Sequence, residues 1–427
     1  MHNQSRFPRQ RMAGEPRTGA AIEPARVVSS EGMHGASAVT GTPPPRVVPF
    51  ARPDIDDDDV AAVVEALQSE WLTTGPNVSK FESQFAETLG STHAIALNSA
   101  TAALHLALDA IGLSAGDEVI IPTITFTASA EVTRYFDAVP VLVDVEADTL
   151  CVNPDEIERA ITPRTRAIMP VHVGGHPARM DRVMDIARRH ELYVIEDAAH
   201  SFPCTLDGRN AGTIGHLGAF SFYATKTITT GEGGMLVTNV DGFAERARCM
   251  SLHGMSRDAW KRYAGGSWRY DVIAPGYKYN LTDLAAALGL SQLRKATRMW
   301  EDRRRIASAY SAAFSAMPEL QIPIELDGSR HSWHLYILRL NAERLRINRD
   351  EFLEALAELG VVTSVHFIPV HTFTYYRNTY SYHDERFPVA MHEFARMFSL
   401  PIYPAMTDRD VEQVIASVRQ VVARNRL

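Results

Sequence analysis

Short apolar runs alternate with helical stretches along the first half of the chain. Strands separated by helices are typical of βαβ units, in which parallel strands form one sheet and helices cover both of its faces. The pattern therefore predicts an α/β fold with a mainly parallel central sheet, whose ligands bind at the carboxyl ends of the strands. The runs of strand length are residues 94–97, 119–122, 141–143, 167–171 and 193–195.

The pattern changes after a long helical stretch at residues 282–314. Beyond that stretch, helices and strands are mixed, and residues 361–368 have the composition of a strand. We therefore expect a large domain over residues 49–310, including an N-terminal helix, and a smaller α+β C-terminal domain over residues 311–427.

Three helix starts are indicated by local sequence. Acidic residues at 56–59 precede apolar residues at helical spacing, which predicts an amphipathic helix at the start of the fold. Asn348 or Asp350 can cap another helix, and Thr407 with Asp410 resembles a capping box for the last one. The apolar residues of the first helix are Val60, Val63, Val64, Leu67 and Trp71.

Residues 1–48 differ from the rest of the chain, because they are rich in Arg, Ser, Gly and Pro and show neither helical nor strand periodicity. This composition predicts a disordered N-terminal extension. Its arginines and few acidic residues also resemble an organellar transit peptide, and translation from Met33 is a further alternative.

Charge and cysteine content favour a cytoplasmic enzyme that acts on small molecules. The net charge is −8 and the body of the chain has no long basic block, so we expect neither nucleic acid nor a membrane surface as a partner. Three widely spaced cysteines cannot form a disulfide framework, and no CxxC pair indicates a zinc site. No apolar run reaches the roughly 18 residues that span a bilayer.

Reactive side chains stand where two of the apolar runs end. Asp197 follows a buried strand, and a carboxylate at the edge of the sheet requires a cationic partner. A second strand ends in Ser221 and Lys226 and is followed by the glycine-rich turn at 229–234. A lysine in a desolvated site loses its proton more readily, and the neutral amine attacks an aldehyde.

Residues 98–101 follow a strand and open a helix, so that backbone N–H groups, hydroxyls and the helix dipole converge on an anion. An anion seat, a lysine and a carboxylate are together what pyridoxal phosphate requires: a place for the phosphate, an amine for the aldehyde and an acid that keeps the ring nitrogen protonated. The three features jointly predict this cofactor.

The chain after residue 48 resembles the DegT/DnrJ/EryC1/StrS family of sugar aminotransferases. This resemblance implies the pyridoxal-phosphate-dependent transferase fold of the aspartate aminotransferase superfamily, fold type I, with a central sheet flanked by helices. The matching blocks are WLTTGP at 71–76, NSATAAL at 98–104, GDEVI at 116–120, EDAAH at 196–200, SFYATK at 221–226 and GYKYN at 276–280.

The resemblance also implies roles for individual residues in binding the cofactor. Lys226 is the Schiff-base lysine and the proton shuttle, and Asp197 is the partner of the ring nitrogen. Phe126 stacks on the cofactor ring, and His200, where many members have glutamine, supports Asp197. The phosphate ligands are Ala100, Thr101 and Ser221.

Further implied roles concern the partner subunit and the substrate. Segment 276–280 resembles the one that reaches the neighbouring subunit's cofactor phosphate, so a homodimer with active sites at the interface is implied. Many members read GYN there, whereas this chain has Lys278 and places an asparagine later, so we assign the crossing contact to Asn280. His366 and His371 lie in a segment that the resemblance places near the sugar, although a structural role is an alternative.

Within the family, two branches are most similar: the UDP-4-amino-4-deoxy-L-arabinose–oxoglutarate aminotransferases, in segments 276–280 and 365–371, and the GDP-perosamine synthases, in segment 227–235. Both aminate carbon 4. The expected reaction is therefore a ping-pong transfer from L-glutamate, which leaves as 2-oxoglutarate, to a nucleotide-activated 4-keto sugar in polysaccharide, lipid A or related glycan synthesis.

The sequence leaves several alternatives. Within the same fold, a 3-dehydratase has histidine in place of the lysine, so Lys226 argues against it, while amination at carbon 3 stays open. This sequence lacks the fused helix-turn-helix region that a cofactor-binding regulator would use to bind DNA, which argues against that function. It also lacks the GxGxxG motif of a nicotinamide dehydrogenase. His172 and His176 lack acidic and cysteine partners at metal-ligand spacing, so no catalytic metal is predicted.

Overall fold

A seven-stranded sheet in the order β1-β9-β8-β5-β4-β2-β3 forms the centre of the fold. Only β9 runs antiparallel to its neighbours, and the other adjacent pairs are parallel, which confirms the predicted mainly parallel sheet. The strands are β1 (His93–Leu97), β2 (Glu118–Pro122), β3 (Val139–Val143), β4 (Thr165–Ile168), β5 (Tyr193–Asp197), β6 (Thr205–Leu206), β7 (Arg209–Asn210), β8 (Leu217–Ser221), β9 (Gly234–Thr238), β10 (Leu320–Gln321), β11 (Ser329–Arg330), β12 (Tyr336–Leu340) and β13 (Met397–Leu400).

The computed structural model describes residues 46–256 and 270–427. The predicted extension at 1–48 therefore lies outside the described residues except for its last three. Of these, Val48 is fully buried and pairs with Val361 through the backbone, so the folded part of the chain begins before residue 49.

Helices cover the sheet and build the C-terminal part of the chain. Every residue of β2 and β9 is buried, as expected for strands that are covered on both faces. The helices are α1 (Asp57–Gln68), α2 (Pro76–Leu89), α3 (Ala100–Ala110), α4 (Ala128–Arg134), α5 (Pro154–Ala160), α6 (Met180–Arg189), α7 (Asp241–Met250), α8 (Asp283–Arg294), α9 (Ala296–Phe314), α10 (Arg349–Glu358), α11 (Thr374–Tyr380), α12 (Pro388–Arg396) and α13 (Asp408–Asn425).

The helix starts follow local capping chemistry. Thr407 and Asp410 form the expected capping box at α13, and Asn348, not Asp350, caps α10. The stretch at 282–314, expected as one helix, is divided at Lys295 into α8 and α9.

The first helix packs differently from a simple amphipathic helix. In α1, Asp59 and Ala66 are buried, whereas Val60, Val64 and Leu67 are 55%, 42% and 51% exposed. Asp59 is buried because it accepts hydrogen bonds from Gln292 and Lys295. The apolar stripe of α1 therefore lies uncovered on the surface of this chain.

A second core lies in the C-terminal part, where β10, β12 and β13 form an antiparallel sheet packed by α9, α10 and α13. The expected strand at 361–368 is wrong. Only Val361 and Ser364 make bridges, and they pair with two different segments, at Val48 and Ser399. Contacts from separate parts of the chain thus override the local strand composition. The division into domains at residues 310 and 311 falls inside α9 and stays a prediction.

None of the helices within residues 46–256 and 270–427 combines the length and the apolar character needed to span a lipid bilayer.

Candidate active site

A cavity of about 390 Å³ opens at the carboxyl ends of the central strands. Asp197 ends β5 and Ser221 ends the adjacent parallel strand β8, so the sheet itself brings these two residues to one edge. The cavity is lined by Ser99, Ala100, Thr101, Leu104, Thr125, Phe126, Ala128, Val171, Asp197, Ala199, His200, Ser221, Tyr223, Thr225, Lys226, Glu232, Gly233, His334, His366 and Phe367.

Asp197 is a buried carboxylate with two fixed hydrogen-bond donors. Its Oδ2 accepts from Ser129 Oγ at 2.7 Å and its Oδ1 from the backbone N–H of Ala199 at 3.1 Å. Burial raises the pKa of Asp197, and the hydrogen bonds of Ser129 and Ala199 and the charge of Lys226 act against this rise. A protonated ring nitrogen would give this carboxylate the cationic partner that its burial requires.

Lys226 lies on the loop after β8, where its backbone N–H donates to the carbonyl of Tyr223 at 2.9 Å. Desolvation lowers the pKa of Lys226 to about 8, although the Asp197 carboxylate opposes the shift. The lysine therefore loses its proton more easily than a lysine in water, and its neutral amine is nucleophilic.

The start of α3, predicted as an anion seat, lies at the cavity. Ser99 caps the helix by accepting from the N–H of Ala102 at 3.1 Å, which leaves the first N–H groups of α3 directed toward the cavity edge. Ala100, Thr101 and Ser221 all line the same cavity. The residues present thus fit pyridoxal phosphate at its phosphate, its aldehyde and its ring nitrogen.

Two rings lie beside these anchor points. Phe126 lines the cavity and is 59% exposed, which leaves its face available for stacking. His200 is buried and its Nδ1 accepts from the N–H of Gly174 at 3.2 Å, so the neutral ring carries its proton on Nε2. Burial lowers the pKa of His200 well below its usual range.

The two predicted substrate histidines have different positions. His366 lines the cavity and its Nδ1 lies 3.0 Å from Ser399 Oγ. His371 does not line it. It is fully buried, with Nδ1 2.7 Å from Thr123 Oγ1 and its ring stacked on Phe387 at 4.1 Å. This burial, the contact of Nδ1 with Thr123 and the stacking on Phe387 favour the structural alternative for His371 over a contact with substrate.

Asn280 also lies outside the cavity lining. Its backbone pairs with Leu97 beside the anion seat, and its Nδ2 donates to Thr74 Oγ1 at 2.7 Å. Lys278 Nζ donates to its Oδ1. A contact between Asn280 and a partner subunit stays a prediction.

Residues 53–419 match the DegT/DnrJ/EryC1/StrS aminotransferase family. The chain belongs to this family. SpsC of Bacillus subtilis (strain 168), a spore coat polysaccharide biosynthesis protein, is 46% identical over 377 residues, which are 88% of this chain and 97% of SpsC. The uncharacterized protein MJ1066 of Methanocaldococcus jannaschii is 48% identical over 380 residues, which are 89% of this chain and 98% of MJ1066.

Solved structures of aminotransferases share the fold. Spr1654 of Streptococcus pneumoniae, provisionally described as a sugar aminotransferase, has a TM-score of 0.84 and 32% identity in its PMP form, over 88% of this chain and 99% of Spr1654. It has also been solved in its PLP form. Helicobacter pylori PseC, an aminotransferase in pseudoaminic acid biosynthesis, has a TM-score of 0.83 and 27% identity over 89% of this chain and 100% of PseC.

These likenesses confirm the predicted family, the transferase fold and pyridoxal phosphate as the cofactor. This member of the DegT/DnrJ/EryC1/StrS family is a sugar aminotransferase with a role in sugar or polysaccharide biosynthesis.

Sequence reasoning missed several residues of this family member's cavity. Ser129 comes from α4 and His334 from the segment before β12, and neither stands in a motif that marks it as functional. The signal for Ser129 was its place three residues after Phe126, within one helical turn. Phe367 adjoins the predicted His366 and was not singled out. Thr225 and Glu232 stand within blocks that were recognised.

The histidines that flank the turn at 173–175 lie behind the cavity. His172 Nε2 contacts Glu196 Oε2 at 2.9 Å and its Nδ1 accepts from the N–H of Ala178 at 3.0 Å, while His176 Nδ1 donates to the carbonyl of Pro177 at 2.8 Å. Among the residues of both described ranges, no group of three or more His, Cys, Asp or Glu side chains is placed to hold a metal ion.

Proposed function

We propose that this family member transfers an amino group from L-glutamate to the 4-keto group of a nucleotide-activated sugar. The observation that carries the proposal is the meeting of Lys226 and Asp197 in one cavity with the anion seat at the start of α3. Glutamate leaves as 2-oxoglutarate, and the amino sugar serves the synthesis of a cell-surface polysaccharide, lipid A or a related glycan.

When bound, pyridoxal phosphate carries the amino group between donor and acceptor and withdraws electrons from the reacting carbon. Lys226 supplies the amine that holds it, because desolvation keeps the pKa of Lys226 at about 8 and its neutral form accessible. When this amine is free, Nζ accepts a proton from the substrate carbon and returns it at a neighbouring atom, as a general base and then a general acid.

The remaining residues would hold the cofactor and orient its ring. With the cofactor bound, Asp197 would keep a proton on the ring nitrogen through its negative charge, and Ser129 and the N–H of Ala199 fix the direction of its two oxygens. Phe126 holds the ring plane, while Thr101 and Ser221 contribute hydroxyls at the anion seat.

The choice of a 4-keto acceptor is supported by sequence. Segments 276–280, 365–371 and 227–235 resemble the two branches of the family that aminate carbon 4. The kinship with SpsC, a polysaccharide biosynthesis protein, supports a glycan pathway.

We further propose that the enzyme is a cytoplasmic homodimer with active sites at the interface. Two features support the dimer: the uncovered apolar stripe of α1 with Val60, Val64 and Leu67, and the exposed position of Lys278 beside Asn280 at the edge of the anion seat. Sedimentation analysis tests the dimer directly, and Asn280→Ala is expected to weaken cofactor binding only if Asn280 reaches a partner subunit.

The test of the function is an absorbance spectrum of wild type and Lys226→Ala with pyridoxal phosphate, before and after glutamate is added. Wild type is expected to show the band of a covalently held cofactor, which glutamate bleaches. Lys226→Ala is expected to lack that covalent band. A wild type without any covalent band contradicts the aminotransferase proposal and favours a regulator that only binds the cofactor.

The acceptor is tested next with a panel of UDP-, GDP- and dTDP-linked 4-keto sugars. Nuclear magnetic resonance of the product is expected to place the new amine on carbon 4. An amine on carbon 3 contradicts the 4-keto assignment and keeps the aminotransferase, whereas loss of the carbon 3 hydroxyl without amination indicates a dehydratase.

A further inference from the structure

One wall of the active-site cavity is built from rings that belong to distant parts of the chain. His200, in the turn that follows β5, lies 4.4 Å from the ring of His334 and 5.5 Å from that of Phe367, and Phe367 lies 6.1 Å from Phe126. His366 adjoins Phe367 with a ring separation of 5.1 Å. Three histidines thus line the same wall as the aromatic rings.

His334 is held in this wall from two sides. Ser332 Oγ donates to the carbonyl of His200 at 2.6 Å and accepts from the N–H of His334 at 3.3 Å, which ties the two histidines together. Behind them, Arg303 Nη1 donates to the carbonyls of Trp333, His334 and Ile402 at 3.3, 3.2 and 2.8 Å. The backbone of His334 is therefore fixed by groups that do not contact the cavity.

The imidazole itself has unused hydrogen-bonding capacity. His334 is only 6% exposed, and its Nδ1 is enclosed by protein atoms without a hydrogen-bond partner within the described part of the chain. The ring nevertheless lines the cavity, where a ligand can contact it. Burial lowers its pKa well below the usual range, and the nearby charges of Lys226 and Arg303 lower it further. The ring is thus neutral near pH 7 and offers one donor and one acceptor.

The imidazole of His334 is not required for any of the expected contacts with the cofactor. Its aldehyde, ring nitrogen, phosphate and ring face are met by Lys226, Asp197, the start of α3 and Phe126. His334, His366 and Phe367 line the same cavity and are assigned to none of these parts of the cofactor, so they are available to contact a substrate.

We propose that His334 is a specificity-determining residue that hydrogen-bonds a hydroxyl group of the sugar acceptor. This inference rests on the proposed function and deepens it. A buried polar group that is satisfied only by the substrate discriminates strongly against analogues that lack the matching group.

The chemistry of the wall favours the sugar over the amino donor. A carboxylate of glutamate is bound most strongly by a cation, yet Lys226 is the sole lysine or arginine among the described residues that line the cavity. Arg303 is not available to bind the carboxylate, because its guanidinium is buried against carbonyl oxygens. Neutral imidazoles next to aromatic rings suit the hydroxyls and the apolar face of a sugar ring.

The test compares the two half-reactions of the cofactor-loaded enzyme for wild type, His334→Phe and His334→Gln. The glutamate half-reaction is followed by the cofactor spectrum, and the second by kcat/KM for the keto sugar that wild type accepts. His334→Phe keeps a ring but loses both nitrogens, so the sugar half-reaction is expected to fall by about tenfold to a hundredfold. The glutamate half-reaction is expected to change by less than about threefold, and His334→Gln is expected to recover part of the loss.

A matched control separates this role from packing. His331→Phe removes a neighbouring buried histidine of the same segment that does not line the cavity, and is expected to change both half-reactions by the same factor. An equal loss in both half-reactions of His334→Phe, or no loss in either, overturns the proposal for His334 alone. If wild type reacts with glutamate but with no keto sugar, the proposed acceptor is wrong, and the role proposed for His334 is wrong with it.

Discussion

Ser129 Oγ donates a hydrogen bond of 2.7 Å to Oδ2 of Asp197, across 68 positions of sequence. Ser129 in turn lies 2.7 Å from Thr125 Oγ1, so a short chain of hydroxyls leads to the Asp197 carboxylate at the cavity. The first turn of α4 is thereby coupled to the carboxyl end of β5. A substitution in this turn should act on Asp197 although it removes no atom of the carboxylate.

Ser129→Ala is expected to lower kcat by about tenfold, because a hydrogen bond to a charged group contributes roughly 1.5–3 kcal/mol. The hydrogen bond lowers the pKa of Asp197 while burial raises it, so its loss raises that pKa further. The ionised form is then lost at a higher pH, and the acid limb of the pH–kcat profile is expected to move upward. An acid limb at the wild-type position contradicts the coupling.

Lys226→Met is expected to stabilise the cofactor-free protein at pH 7 by up to ~3 kcal/mol, the equivalent of a pKa lowered from 10.5 to about 8. Between these pH values the unfolded chain binds more protons than the folded chain. The free energy of unfolding of wild type therefore rises with pH across this window. Below pH 8 wild type is less stable than Lys226→Met by the full amount. Urea unfolding at several pH values measures this difference.

The gain from Lys226→Met is accordingly expected to shrink as the pH approaches 10.5 and to vanish above it. Lys80→Met, at an exposed position of α2, is the matched control and is expected to show no such pH dependence. A gain that is constant with pH would show that packing, and not the lysine charge, is responsible.

The elements that could be predicted from sequence are those that local chemistry decides. The strands before Asp197 and Ser221 and the capping box of Thr407 depend on neighbouring residues, and all are present. The stretch at 361–368 fails because its few backbone pairs are made with distant segments. Helical periodicity predicted α1, but nothing in its sequence indicates that Val60 stays exposed on the surface of this chain.

The same distinction holds for the site. Lys226 and Asp197 were predictable because each ends a strand within a recognisable block, and parallel neighbours bring such ends together. Ser129 and His334 were not, since their roles depend on contacts that only the folded chain creates. The substrate contact expected of His371 has no support in the fold, because its segment adjoins the cavity while its ring packs in the core against Phe387.

Glu196, next to Asp197 in β5, is buried with several hydrogen-bond donors. Its buried carboxylate accepts from the N–H groups of Gly212, Ile214 and Gly215 at 2.6–2.7 Å and from His172. Glu196→Ala leaves these buried donors without an acceptor. It is expected to destabilise the protein by about 3–5 kcal/mol, as when one partner of a buried pair is removed. Thermal unfolding measures this loss, with the exposed Glu65→Ala as a control that is expected to change little.

Gly234 stands at the first position of β9, directly behind the anion seat. An added Cβ would lie 2.3 Å from the carbonyl carbon of Ser99 and 2.6 Å from the nitrogen of Ala100, both of them backbone atoms that cannot rotate away. Gly234→Ala is therefore expected to displace the start of α3, whose N–H groups are proposed to hold the phosphate. We expect the Kd for pyridoxal phosphate to rise by about tenfold or more, which corresponds to at least ~1.4 kcal/mol.

Gly242→Ala provides the matched control, because a Cβ on Gly242 in α7 meets no atom within 4 Å. Alanine is the better helix former, so this variant is expected to be neutral or more stable by up to ~1 kcal/mol, with an unchanged Kd. Titration of both apoproteins with the cofactor separates the two cases. If Gly234→Ala loses stability but keeps the wild-type Kd, β9 absorbs the added methyl group without a shift of the N–H groups of α3, and the predicted loss of cofactor binding is wrong.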